Sequence, residues 1–135
     1  MDDAVSLVAK GERGEMVSVG LVLSSPLEAV IVMAVNDDSP REFRGPDFFR
    51  CLMDVRIFLE DRGLLLCCQG ARPDVFPSGM QRQMDLGRRA TILSRESTER
   101  GEVDIFAPVE PCEVVSVEDQ KIAVLKFFKL KISDT

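Results

Sequence analysis

The sequence predicts an α+β fold: a single domain over residues 1–135, with a largely antiparallel sheet of about four to six strands packed with two main helices and one short helix. Three observations point there. A length of 135 residues is enough to bury one continuous core, whereas two domains would be crowded. Apolar residues make up 45% of the chain and charged residues 30%, a balance that belongs to folded globular proteins and not to disordered ones. Short β-branched runs bounded by Gly, Pro and Ser stand beside a longer stretch of helical period.

Taken in order, residues 4–9 are moderately apolar and run into Lys10-Gly11-Glu12-Arg13-Gly14, whose two glycines and charges mark a turn. Residues 16–23, rich in valine and leucine, read as a strand that Ser24-Ser25-Pro26 breaks. Residues 29–35 read as a second strand, adjacent and antiparallel to the first. Their uninterrupted hydrophobicity predicts cover on both faces. Residues 36–44, polar and charged, read as an exposed loop, with Gly45-Pro46 ahead of a helix whose first turn suits proline.

Between Asp47 and Arg62 the apolar side chains of Phe48, Cys51, Leu52, Val55, Phe58 and Leu59 recur at the spacing of one helical face, and Gly63 is placed to end that helix. Residues 64–68 are apolar and short, which predicts a buried strand packed beneath it. Prolines and glycines set residues 70–80 as a loop. Ser78 stands three residues before Gln81, the spacing of a capping box, so a short helix is expected over about residues 79–86.

Residues 89–94 and 103–106 are strand candidates separated by a charged turn, and Pro108 and Pro111 stop regular structure. From Ser116 the chain reads as a helix with Glu118 and Asp119 in its first turn and lysines toward its end. Residues 128–132 also alternate as a strand would, so both readings of 116–132 stand at this stage.

Charge is uneven along the chain. Residues 1–61 carry 6 basic and 12 acidic groups, residues 62–95 carry 6 and 2, and residues 96–135 carry 5 and 9. The net charge of −6 disfavours duplex DNA and anionic membrane as partners and favours a basic protein. The arginines of the middle, Arg72, Arg82, Arg88, Arg89 and Arg95, read as a solvated rim or as partners for the acidic flanks. The longest apolar run, residues 30–35, is far shorter than the roughly 20 residues of a membrane helix, and the start Met1-Asp2-Asp3 is acidic, so a cytoplasmic protein is expected.

Catalytic chemistry has little to draw on. Histidine, tyrosine and tryptophan are absent, which removes the commonest general base and metal ligand. Cys51, Cys67, Cys68 and Cys112 lie in apolar surroundings without a C-x-x-C spacing, so they read as buried free thiols. The carboxylate pairs Asp37/Asp38 and Glu118/Asp119 fall in exposed segments and read as ordinary solvated acids. No catalytic, cofactor-binding or metal-binding residue is assigned, and binding of another macromolecule is expected in place of an enzymatic activity.

Residues 47–91 also carry a resemblance. Phe49-x-x-Leu52-x-x-x-Arg56-x-x-Leu59-Glu60-x-x-Gly63 is followed by Gly70-Ala71-Arg72-x-Asp74-Val75-Phe76-Pro77-Ser78-Gly79-Met80-x-Arg82-x-Met84 and by Gly87-Arg88-x-Ala90. This pattern, over about a third of the chain, resembles a group of small bacterial immunity proteins encoded beside polymorphic toxins of the Rhs and type VI secretion kind. The sequence departs from that pattern at Asp85, where glycine is common, and at Thr91, where an aromatic is common.

The resemblance implies a cytoplasmic protein that binds a cognate toxin domain and blocks its active site or substrate entry. An adaptor or chaperone-like subunit for a secreted effector is the alternative. The expected partner has a basic cleft, as a nuclease, deaminase or nucleotide-targeting enzyme would, with no direct contact to nucleic acid or membrane. Candidate contact residues are Arg72, Asp74, Phe76, Met80 and Arg82 in the loop segment, and Asp37, Asp38, Glu42, Glu96, Glu99 and Glu102 in the acidic segments. Val75, Phe76, Met80 and Met84 are expected to seal one end of the core, which leaves the acidic groups as the better contacts.

Overall fold

The turn at residues 10–14 is a hairpin end. Gly14 has a φ of +84°, a conformation glycine adopts without steric cost, and its N–H donates to the Gly11 carbonyl at 3.1 Å. The moderately apolar segment before it is itself a strand, β1 (Asp3–Gly11), paired antiparallel with β2 (Met16–Ser24). β3 (Ala29–Val35) pairs antiparallel with β2, as expected. The molecule is seen in a computed structural model that describes residues 3–25, 27–36, 38–94 and 101–133.

The charged stretch expected to be loop up to Arg44 instead ends in a strand, β4 (Arg41–Gly45), paired with β3. It is the edge of the sheet, so only Phe43 turns toward the core while Glu42 and Arg44 face solvent. Charged side chains on an edge discourage further strand pairing, and they also hide the strand from a hydrophobicity pattern. Residue 37, just before it, lies outside the described residues.

Helix α1 (Phe48–Glu60) follows. Asp47 caps it, its Oδ1 accepting the Arg50 N–H at 2.8 Å, so Pro46 precedes the cap and does not sit in the first turn. Phe49, Cys51, Leu52, Val55 and Leu59 are all within 1% of full burial and pack on the inner face of the sheet, against β3, β4 and β5 (Leu64–Leu66). Gly63, at a φ of +79°, turns the chain into β5, which pairs antiparallel with β1. The sheet order is β4-β3-β2-β1-β5.

Burial along β1, β2 and β3 follows the period of two. Leu7, Ala9, Val19, Leu21, Leu23, Ile31 and Met33 point inward and are at most 4% exposed. The opposite face is not covered as expected for β3: Val30 is buried, but Val32 is half-buried and Ala34 is exposed. Helix α1 covers one face only, and no second helical layer lies on the other among the described residues.

A second antiparallel sheet holds β6 (Val75–Phe76), β7 (Arg89–Ile92) and β8 (Glu102–Asp104), in that order. Helix α2 (Gly79–Met84) links β6 to β7, shorter than expected by two residues. β8 stops before Ile105 because the Asp104 carboxylate accepts the Phe106 N–H at 2.9 Å, a side-chain turn that drops Ile105 and Phe106 into the core at 0% and 2% exposure. Phe106 then meets Phe48 edge to face at 6.0 Å.

The last element is helix α3 (Val117–Ser133), so the strand alternative does not hold. Among its described side chains Val117, Gln120 and Val124 are the buried ones, a helical spacing. Its start is capped twice, by Ser116 Oγ accepting the Asp119 N–H and by the Glu60 carboxylate accepting the Val117 N–H at 3.1 Å. No helix among the described residues is long and apolar enough to cross a membrane.

Candidate functional site

The sequence motif folds around one buried cation. Arg56 on α1 has 0% exposure. Its guanidinium donates to the Gly70 carbonyl at 3.1 Å, to Gln120 Oε1 at 2.6 Å and to the Val115 carbonyl at 3.0 Å. Burial lowers its pKa, partly offset by nearby Cys68 and Glu60, and its Nε stands 3.9 Å from Glu60 without a hydrogen bond. Gln120 extends the network: its two amide N–H groups donate to the carbonyls of Gly70 and Arg72, each at 2.8 Å, and one of them is shared with that of Val75 at 3.2 Å. Arg56 and Gln120 thus bind α1, α3 and the loop 70–75 to one another.

Sterics hold the same loop. A Cβ at Gly70 would stand 2.6 Å from Leu52 Cδ2 and 3.0 Å from Ile105 Cβ, so the backbone can reach Arg56 only with glycine there. Arg72 and Asp74 form a bidentate pair at 3.0 and 2.7 Å, with Gln69 accepting a further Arg72 hydrogen bond. Val75 is fully buried, and Phe76 meets Phe49 edge to face at 5.3 Å.

Arg82 fastens α2 to this base. It pairs with Asp47 at 2.8 Å, and its guanidinium lies 5.4 Å from the ring centres of both Phe49 and Phe76. Asp47 therefore caps α1 with one oxygen and anchors α2 with the other. The expected capping box forms between Ser78 and Gln81. After α2 the left-handed backbone falls on Leu86 and Gly87, while Asp85 takes φ −134° and ψ 30°, so residue 85 need not be glycine.

The expectation that Val75, Phe76, Met80 and Met84 together seal the core holds for the first two only. Met80 and Met84 are 73% and 80% exposed, because capping and Arg82 fix α2 with the methionine side turned to solvent. The chain before α2 borders a groove lined by Phe76, Pro77, Ser78, Gly79, Leu93 and Phe128. Phe128 continues onto the outward face of α3, where Ile122 and Leu125 are 54% and 70% exposed. Their spacing, i, i+3, i+6, puts them on one side of the helix, and spacing alone does not say whether that side is buried or in solvent.

Electrostatics separate the acidic candidates. Asp38 is paired with Arg62 at 3.0 Å, Glu42 with Arg44 at 2.7 Å and Glu102 with Arg89 at 4.0 Å. Asp37, Glu96 and Glu99 lie outside the described residues. The arginines of the basic middle are likewise engaged, Arg88 with Asp3 and Asp104 in addition to the pairs above; Arg95 is outside the described residues. Where α1 ends and α3 begins, Asp61 and Asp119 stand near Glu60, one group among several acids that have no ion pair among the described residues. Burial pushes the Glu60 pKa up, against the Val117 hydrogen bond and Arg56, with Asp61 and Asp119 adding to the rise. This cluster joins residues 57 positions apart, so local sequence could not display it.

The thiols are poorly suited to nucleophilic work. Burial pushes Cys51 and Cys68 up to about 12 and raises Cys67 as well, which keeps them protonated near neutral pH. Cys51 donates to the Ala29 carbonyl at 3.2 Å. Cys112 is exposed, not buried as expected, since it sits in a one-turn 3₁₀ segment outside both sheets. No protein-family model and no curated protein matches the chain.

Proposed function

We propose that this protein is an immunity-type binding domain that neutralises a cognate bacterial toxin by covering its active site or substrate entry. The observation that carries the reading is the outward face of α3: Ile122, Leu125 and Phe128 stand in solvent and lead into the groove beside α2. Large apolar side chains on a fixed surface cost little further conformational entropy when a partner covers them. Glu118 and Asp119 begin the same helix and the exposed Lys121, Lys126 and Lys129 follow, so a partner seated there meets apolar contacts among charges of both signs. The loop residues Arg72, Asp74 and Arg82 act from beneath, as supports of that surface, and Phe76 and Met80 contribute to it directly.

Co-expression with a candidate toxin domain, taken from a reading frame neighbouring this chain's own, tests the proposal. Survival of the cells, with both chains in one peak on a sizing column, is the expected result. Continued killing with no joint peak overturns it. Continued killing with a joint peak identifies the protein as an adaptor for an effector and also overturns the neutralisation reading.

A further inference from the structure

Where β3 and β4 meet the last turn of α1, the packing leaves a cavity of about 190 Å³. Met33 and Val35 of β3 and Phe58 of α1 give it an apolar floor. One ring fits such a space, since a cavity of about 150 Å³ takes a benzene molecule. Arg41 and Arg62, both exposed, line it as well, each with its guanidinium 4.4 Å from the centre of the Phe58 ring. Arg41 arrives there because β4 pairs it with the inward-facing Met33, so its side chain leaves the edge strand on the side of α1.

The two arginines differ in how their charge is met. Arg62 pairs at 3.0 Å with Asp38, which lines the same cavity. Arg41 has no carboxylate partner among the described residues, a lack that only Arg13 in the hairpin turn shares among the described arginines. The donors of its guanidinium are therefore left to an acceptor from outside. Two arginines against one aspartate make a positive spot in a chain of net charge −6. A charge that leans inward from an edge strand also discourages further strand pairing. Any cation serves that end, and it requires neither a second arginine on the same ring nor a cavity beside it.

We propose that this cavity binds a small monocarboxylate with an apolar body. The carboxylate accepts from the guanidinium fork of Arg41, whose geometry matches its two oxygens, while the apolar body lies on Met33, Val35 and Phe58. A single negative charge matches the single uncompensated arginine. A dianion such as phosphate would set its second charge against Asp38 and has no apolar part to cover the floor. The cavity shares no residue with the groove beside α2 or with Ile122, Leu125 and Phe128 on the outward face of α3, so this binding does not rest on the toxin-neutralising reading.

Titration of the isotope-labelled full chain with sodium benzoate, followed by proton–nitrogen correlation NMR, tests the proposal. The expected result is saturable shifts at the backbone amides of Val35, Arg41 and Phe58, with a Kd on the order of a millimolar. Arg41→Gln should weaken binding by about tenfold or more. Arg50→Gln, which removes an exposed arginine elsewhere on α1, should leave it unchanged, and the spectra themselves show that both variants are folded. Acetate and benzyl alcohol, each with half of the chemistry, should bind at least about tenfold more weakly than benzoate. Acetyl-glycyl-phenylalanine separates two sources of the same group: tighter binding than benzoate assigns the site to the C-terminus of a protein chain, weaker binding to a free acid. Benzoate that leaves these amides unmoved at about 20 mM overturns the proposal, as does undiminished binding by Arg41→Gln, or acetate or inorganic phosphate that binds as tightly as benzoate.

Discussion

Residues 70–76 and residues 79–84 belong to one continuous motif, yet they live under opposite conditions. The first stretch is clamped from beneath by Arg56 and Gln120, which satisfy the carbonyls of Gly70, Arg72 and Val75. The second is tied down at its base by Asp47 and Arg82 and leaves Met80 and Met84 in water. The difference shows that one continuous motif can hold both a buried support and an exposed surface. Most of the pattern that carries the resemblance builds a platform, and the apolar side chains available to a partner sit at its edge and on the neighbouring face of α3.

The sharpest way to break the clamped half is Arg56→Ala. It leaves the Val115 carbonyl and Gln120 Oε1 without their donor, leaves the Gly70 carbonyl with Gln120 alone, and opens a cavity, so urea unfolding is expected to show a loss of about 3–5 kcal/mol. Arg56→Met, which refills the stem volume, should recover part of that loss. A smaller effect is expected from Gly70→Ala, since the added methyl presses on Leu52 and Ile105; about 1–3 kcal/mol is the expected cost by the same measurement. If either substitution leaves the unfolding midpoint unchanged, the clamp is not what holds the loop.

The exposed half should respond in the opposite way. Met80→Ala with Met84→Ala is expected to move stability by no more than about 0.5 kcal/mol, as surface substitutions do, while weakening capture of the toxin domain in a pull-down. A large loss of stability would mean that α2 is packed more deeply than its exposure indicates.

The smallest expected effect concerns pH. The Glu60 carboxyl has a higher pKa in the fold than in the unfolded chain, chiefly through burial. It therefore binds its proton more tightly when folded, and stability declines as pH rises from the ordinary carboxylate range through the raised value. Glu60→Gln keeps an acceptor for the Val117 N–H and removes the titration. Thermal melts between about pH 4 and 7 should show a flatter profile for the variant; an unaltered slope would place the titration elsewhere.

Much of the fold was legible because its signals are local. The period of α1, the capping box at Ser78 and Gln81, and the strands of residues 16–23 and 29–35 depend on spacing alone. β4 was not legible: an edge strand needs only Phe43 on the core side, so its charged neighbours read as loop. β8 lost Ile105 and Phe106 to a turn made by Asp104, a bond that no hydrophobicity pattern contains. For the site, the loop 70–82 was visible as a motif, but its division into support and surface was not, because Arg56 reaches it from 14 positions away and Gln120 from 50. The surroundings of the acidic candidates were hidden for the same reason. Asp38 and Glu42 look free in sequence and are paired in space, whereas Glu60, Asp61 and Asp119 come together only when α3 docks on the end of α1.

The central claim is that the outward face of α3 binds while the Arg56 clamp only supports it. Leu125→Glu tests this most directly, because Leu125 is 70% exposed and its loss should not disturb the core. The measurement is survival of cells co-expressing the toxin domain with this variant, beside its urea midpoint. The expected result is a midpoint within about 0.5 kcal/mol of the parent chain together with lost protection; undiminished protection by the folded variant would contradict the account.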